Sequence, residues 1–276
     1  MPVGVIRDYA SGQVERMPHI NVSGVDLHYV DEGEGKPVFF LHGNAGSCRV
    51  WRKIAPGFSD RYRVIAHDRQ GFGDSEKKES GDFSPRGFAG ELARLMDALG
   101  IERAHVCGLS MGGMIAQCFA LDYPDRVDGL VLVGTMPDRT GRNVPETLAE
   151  LALDGWPAVA DRLVRHWFRP GSDEADIAEA YEIALQSPQK FRELTVTALG
   201  TFDIKAELPG IQAATLILNG EADVTNVMRH AEIMNEGIPA SRLIRIPDCG
   251  HLIPIERPEA FCRHTLGFLA EVDAAS

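Results

Sequence analysis

The chain has 276 residues, 44% of them hydrophobic and 25% charged, with a formal net charge of -12. That length fits one large α/β domain or two small ones, with apolar residues enough for a sizeable core. The acidity, with no Lys/Arg cluster, argues against a nucleic-acid surface; no window approaches the roughly 18 apolar residues of a membrane span, and the start, with Arg7, Asp8, Glu15 and Arg16, lacks the apolar stretch of a secretory signal.

In chain order, residues 19–22 and 25–30, joined by Ser23-Gly24, read as a β-hairpin, and Glu32 to Pro37 as a turn. Val38-Phe39-Phe40-Leu41 is apolar without alternation. A strand buried on both faces belongs in a parallel sheet covered by helices, not in a sandwich. It runs into His42-Gly43-Asn44-Ala45-Gly46, a glycine-punctuated loop whose backbone N–H groups can point at a ligand, and a helix is expected over residues 50–58.

Residues 63–66 form another buried strand, ending at His67-Asp68 and then Arg69-Gln70-Gly71-Phe72-Gly73-Asp74-Ser75. The Gly71-x-Gly73 pair invites a dinucleotide reading. The fingerprint needs a third glycine at position 76, where Glu76 would repel a pyrophosphate, so no nucleotide cofactor is expected. Phe88, Leu92, Leu95, Met96 and Leu99 recur at helical spacing and stop at Gly100.

Next come a short apolar run, 104–107, the pentapeptide Gly108-Leu109-Ser110-Met111-Gly112, and a helix-compatible stretch ending near Tyr123-Pro124. A strand, a tight turn bearing a serine and a helix would present the Ser110 hydroxyl in front of free helix N–H groups. The two glycines allow strand and helix backbones to approach closely. Residues 127–133 are the next strand, and the succession predicts right-handed βαβ topology.

After Gly134 the rhythm breaks. Residues 146–154, 157–167, 173–185 and 188–199 read as helices with no strand among them, so 136–208 is expected to sit above the sheet as a helical cap, leaving 1–135 and 209–276 as the core domain. Strands resume at 215–218 and 242–246, leading to Asn219-Gly220-Glu221-Ala222-Asp223 and Asp248-Cys249-Gly250-His251, with helices over 227–235 and from Pro258 to about Leu269.

Ligands of open parallel sheets bind at the carboxyl ends of the strands. There the sequence places His42 to Gly46, Ser110, Asp223 and His251. A serine hydroxyl becomes a good nucleophile when an imidazole takes its proton, and a carboxylate on the far imidazole nitrogen fixes the tautomer. Ser110, His251 and Asp223 are therefore the candidate catalytic residues, with Asp138 and Glu221 as alternative carboxylates. The backbone N–H groups of Asn44 and Met111 are the candidate oxyanion donors. Cysteines 48, 107, 118, 249 and 262 lack CxxC pairing and read as reduced thiols of a cytoplasmic protein. Cys249 reads as an apolar filler beside its strand.

With His42-Gly43, Asp68-x-x-Gly71-x-Gly73-x-Ser75, Gly108-Leu109-Ser110-Met111-Gly112-Gly113, Gly220-x-x-Asp223 and Gly250-His251, the chain resembles the α/β-hydrolase superfamily from about His19 to Leu269. The resemblance implies an α/β fold of about eight mostly parallel strands, helices on both faces, and a helical cap after the sixth strand. Among its members the closest in character are ester and lactone hydrolases, including enol-lactonases, and cofactor-free perhydrolases. Members with an aspartate nucleophile differ at Ser110, and carbon–carbon bond hydrolases share Ser-Met-Gly-Gly but usually have tryptophan where Leu252 stands. The metal-dependent lactonase pattern His-x-His-x-Asp-His is absent, so neither metal nor cofactor is expected.

The expected partner is thus a small-molecule ester or lactone, with no nucleic acid and no membrane; whether the chain is monomer or homo-oligomer is not written in it. Carbon–carbon hydrolysis of a diketone and ligand sensing through the cap remain the alternatives. His42, Gly43, Trp167 and Leu252 are candidate substrate contacts, while Trp156, Phe168, Phe191 and Phe202 are divided between pocket and cap core. Met114 and Ile115 read as core.

Overall fold

The computed structural model describes residues 6–7, 14–15, 18–139 and 143–275. Its centre is set by the apolar runs. Phe39 and Leu41 point to one side of the sheet with Val106, Leu132 and Ile217, whereas Val38 and Phe40 point to the other with Cys107, Val131 and Leu218. Alternate residues of one strand thus feed two separate cores, which is why these strands carry no polar face.

The strands are β1 His19–Val22, β2 Val25–Glu32, β3 Lys36–Leu41, β4 Tyr62–His67, β5 Ala104–Leu109, β6 Val127–Val133, β7 Thr215–Gly220 and β8 Ser241–Ile246. They form one sheet in the order β8-β7-β6-β5-β3-β4-β2-β1. The β1/β2 and β2/β4 pairs are antiparallel and the other pairs are parallel. From β3 the chain first turns outward to β4, then crosses back to β5 on the other side. That reversal leaves a crevice beyond the carboxyl ends of β3 and β5, where Leu41 faces Gly108 in register. Residues 6–7 pair with 14–15 in a separate two-stranded ladder.

Helices α1 Pro85–Ala98, α2 Met111–Asp122 and α7 Met228–Gly237 cover one face; α8 Pro258–Ala275 covers the other. α1 starts where its chemistry requires: the Ser84 side chain accepts the Gly87 N–H, and Pro85 occupies the first helical position. Between β6 and β7 lie α3 Val144–Asp154, α4 Trp156–Trp167, α5 Glu174–Leu185 and α6 Gln189–Leu199, and among the described residues no strand of the main sheet.

Three expectations shift. The helix over 50–58 is split into a 3₁₀ turn, Cys48–Trp51, and a short helix, Ala55–Ser59, because Pro56 cannot donate to the preceding turn. β2 runs on to Glu32, since Asp31 and Glu32 still pair with Ile65 and Val64. The last helix continues to Ala275 through good helix formers, and Asp273 there accepts the Tyr62 hydroxyl at 2.9 Å and contacts Lys36 at 2.6 Å. Among the described residues no helix is long and apolar enough to cross a membrane.

Candidate active site

At the end of β5 the backbone turns abruptly into α2 through Ser110, whose φ of 54° and ψ of -118° are costly for any residue with a Cβ. The flanking glycines show why the turn can be so tight. A Cβ on Gly108 would lie 2.2 Å from the Gly112 carbonyl oxygen, and one on Gly112 would lie 2.1 Å from that of Leu41. Ser110 is held from two sides: its N–H donates to Val133 O at 2.9 Å, and the Thr135 hydroxyl donates to its carbonyl at 2.6 Å. Met111 opens α2, so its N–H is one of the four that a helix cannot pair internally.

The loop after β3 closes as a turn in which Gly46 N–H donates to Gly43 O at 3.3 Å, with Ala45 at φ 57°. Asn44 is its other corner residue, and its side-chain oxygen accepts the Thr195 hydroxyl of α6 at 3.2 Å.

Beyond β7, the Asp223 carboxylate spends one oxygen on the N–H groups of Thr225 and Asn226, at 2.8 and 2.9 Å. Its other oxygen accepts Nδ1–H of His251 at 2.8 Å. Both side chains are buried. The His251 backbone is anchored to the end of α4, its N–H donating to Trp167 O at 2.7 Å. Glu256 reinforces the junction: its carboxylate accepts the N–H of Gly250 at 3.0 Å, the N–H of Arg169 at 3.2 Å and the Ser172 hydroxyl at 3.0 Å.

A cavity of about 410 Å³, its mouth included, opens where these loops meet. Gly43, Asn44, Ser110, Trp167, His251 and Leu252 line it, and the remaining wall, including Val50, Ile183 and Ile255, is aliphatic. Asp223 stands behind His251, and Met111 lies buried directly after Ser110. Asp138 sits 3.4 Å from the Lys205 ammonium instead, and no bond joins Glu221 to His251.

His42 does not line the cavity. Its ring is fully buried and outside the cavity; Nδ1–H donates to Gly43 O at 2.8 Å, and Nε2 accepts the Arg69 N–H at 3.3 Å. Burial, aided by the nearby Arg69 charge, holds its pKa well below that of an ordinary histidine, so the ring stays neutral and pins the loop. Of the aromatics between β6 and β7, only Trp167 among the described residues lines the cavity. Trp156 donates its indole N–H to Ala184 O at 3.1 Å, and Phe191 lies so close to Gly71 that a Cβ there would be 2.1 Å from the ring.

Sequence reasoning missed the buried charges beneath the site. Asp68 accepts the Cys48 N–H at 2.6 Å, His28 Nδ1–H at 2.9 Å and the Asp74 N–H at 2.8 Å. Burial opposes its ionisation, but the hydrogen bonds it accepts, that from His28 first and that from the Asp74 N–H with it, keep the carboxyl well below its usual range. His28, Cys48 and Asp68 bring three ligand-type atoms within 4.8 Å of one another. Hydrogen bonds join them: His28 Nδ1 lies 2.9 Å from the Asp68 carboxylate and 3.7 Å from Cys48 Sγ. Arg69 and Glu91 are likewise buried, with no signal for it in the sequence, since an isolated Arg or Glu ordinarily reads as surface.

A family model described as the alpha/beta hydrolase fold matches residues 36–258. A "2-hydroxy-6-oxo-6-phenylhexa-2,4-dienoate hydrolase" of Comamonas testosteroni is 31% identical, over 89% of this chain and 91% of its own. Among solved structures, the enol-lactonase from Burkholderia xenovorans LB400 is 26% identical with a TM-score of 0.86, covering 92% of this chain and 100% of that one. A thermophilic esterase from Thermogutta terrifontis is 27% identical with a TM-score of 0.85, covering 93% of this chain and 97% of its own.

Proposed function

The chain belongs to the alpha/beta hydrolase fold family, and on that premise we propose that it is a serine hydrolase of small, uncharged carboxylic esters or lactones. Ser110 Oγ attacks the acyl carbon while His251 Nε2 takes its proton. Asp223 accepts Nδ1–H, which leaves Nε2 as the basic nitrogen and balances the imidazolium that forms. The Asn44 and Met111 N–H groups receive the oxyanion. The leaving alcohol takes the proton from His251, and water, activated by the same nitrogen, then attacks the acyl-enzyme and releases the acid.

The observation that carries this reading is the Asp223–His251 hydrogen bond at 2.8 Å, with His251 and the strained Ser110 lining one cavity. The helical segment 136–208 acts as the cap that sets specificity, since it contributes Trp167, Ala180 and Ile183 to the cavity wall. All five cysteines are free, which supports a reducing, cytoplasmic setting.

Carbon–carbon bond hydrolysis is the second reading, favoured by relatives such as the dienoate hydrolase at 31% identity. A dienoate carries a carboxylate, and among the described residues no Lys or Arg lines this cavity. The aliphatic wall therefore favours a neutral acyl group. A panel of p-nitrophenyl esters, uncharged lactones and 2-hydroxy-6-oxo dienoates separates the two. The ester reading requires turnover of the first two classes to exceed that of the dienoates; the reverse order would replace it.

A further inference from the structure

Arg69 is a residue for which the proposed triad chemistry has no use, yet it is 1% exposed and carries a charge. Its guanidinium is not spent on a carboxylate. One terminal nitrogen donates to His42 O and the other to Gly43 O, the latter at 2.9 Å. The planar cation lies against the rings of Phe72 and Phe88, 5.0 and 5.2 Å from their centroids.

The Gly43 carbonyl is the centre of this arrangement. Besides Arg69 it accepts His42 Nδ1–H at 2.8 Å and Gly46 N–H at 3.3 Å. That carbonyl belongs to the same trans peptide unit as the Asn44 N–H, so fixing one end fixes the other, pointing the opposite way. With the oxygen gripped on the buried side, the N–H is turned to the side on which Asn44 lines the cavity. Hydrogen bonds to the oxygen also polarise the amide, and a charged donor in a dry setting does so most strongly.

We propose that Arg69 is a positioning residue of the oxyanion site: through Gly43 O it orients the Asn44 N–H and strengthens it as a donor. The inference rests on the serine-hydrolase reading for its kinetic consequence, but not for its geometry. Burial lowers the guanidinium to about 9 against the attraction of Glu91 and Asp68, so the cation persists at neutral pH. Only anionic character developing in the transition state draws on a polarised donor, so the effect belongs in kcat and not in KM.

The test compares wild type with Arg69→Met and Arg69→Lys by two readouts: the ¹H–¹⁵N shift of the Asn44 amide in unliganded protein, and kcat and KM for p-nitrophenyl acetate per folded molecule. In Arg69→Met the Asn44 amide proton moves upfield, kcat falls roughly 10- to 100-fold and KM stays within about twofold. Arg69→Lys, which keeps the charge and one donor, recovers part of both. An Asn44 resonance that stays in place, or a loss in Arg69→Met that appears only in KM, would overturn the proposal. Should Arg69→Met not fold, Arg69→Lys decides alone: the proposal requires a smaller upfield shift with a lower kcat, and wild-type values of both reject it. Absence of ester hydrolysis in wild type would instead refute the hydrolase reading, and the Asn44 shift would still judge Arg69.

Discussion

Asp223 meets His251 at 2.8 Å with one carboxylate oxygen and is itself held by two backbone N–H groups on the other. The division of labour matters: the oxygen that orients the imidazole is not needed to hold the turn. Asp223→Asn keeps an oxygen for Thr225 and Asn226 but offers an amide N–H toward His251. Nδ1 then accepts that N–H, and the imidazole carries its own proton on Nε2, where it can no longer take one from Ser110. We expect kcat to fall about 10³- to 10⁴-fold with the melting temperature within a few degrees of wild type. Steady-state kinetics beside a thermal melt checks this.

Ser110 holds a backbone conformation that glycine accepts far more readily. Relief of that strain is of order 1–3 kcal/mol, against about 0.5–1 kcal/mol of added chain entropy. Ser110→Gly and Ser110→Ala should both be inactive, with the glycine variant the more stable by about 1 kcal/mol in urea unfolding. An alanine variant of equal or greater stability would mean the turn is not strained.

The same turn shows what the sequence makes legible. Gly108, Gly112 and the apolar strand before them announce a strand–turn–helix, because a Cβ at either glycine would strike backbone. The doubly buried strands announce the parallel sheet, since a fully apolar run has no solvent face. By contrast, nothing local reveals that Arg69, Glu91 and Glu256 turn inward. Each is a surface-type residue whose burial depends on partners distant in sequence, such as Gly43 for Arg69 and Arg169 for Glu256. For the same reason the position of His42 in its loop was legible and the rotation of its ring into the protein was not.

Glu91 is buried, and desolvation raises its carboxyl to about 7 despite the Gln70 N–H and the Arg69 charge. In the unfolded chain the group titrates near its ordinary value of 4.5. Between those values the folded state binds the proton and the unfolded state does not, so this group's contribution is fully present below 4.5 and is lost as pH rises to about 7. Glu91→Gln cannot ionise. The stability of Glu91→Gln minus that of wild type should therefore grow with pH across this window, by an amount on the order of 3 kcal/mol at most, and level off above it. His67, which burial lowers to about 3, lies 3.8 Å from Glu91 and trends the opposite way in the wild type. Chemical denaturation at pH 4.5, 6 and 8 checks this, and a difference that does not change with pH would refute it.

Glu256 joins the His251 loop to the segment after α4 through three donors. Glu256→Ala leaves those donors without their acceptor and loosens the end of α4, on which the His251 backbone is anchored. Stability should drop by about 2 kcal/mol and kcat by roughly tenfold. Hydrogen exchange should quicken at Gly250 and His251, and unchanged exchange there would separate the carboxylate from the imidazole.

Trp167 is the large side chain of the cap that reaches the cavity. Its carbonyl, not its ring, holds His251, so Trp167→Ala enlarges the cavity without cutting that bond. The ratio of kcat/KM for octanoyl over acetyl esters should rise about tenfold. A uniform loss across chain lengths would place the acyl group elsewhere.

The central claim is that Ser110 is an activated nucleophile. Its most direct measurement is reaction of the native protein with a fluorophosphonate, followed by peptide mapping of the adduct. The account predicts a single phosphonylated residue, Ser110, formed in wild type and abolished in Ser110→Ala and, through loss of the base, in His251→Ala. Labelling of another serine, or equal labelling of Ser110 in native and unfolded protein, would contradict it.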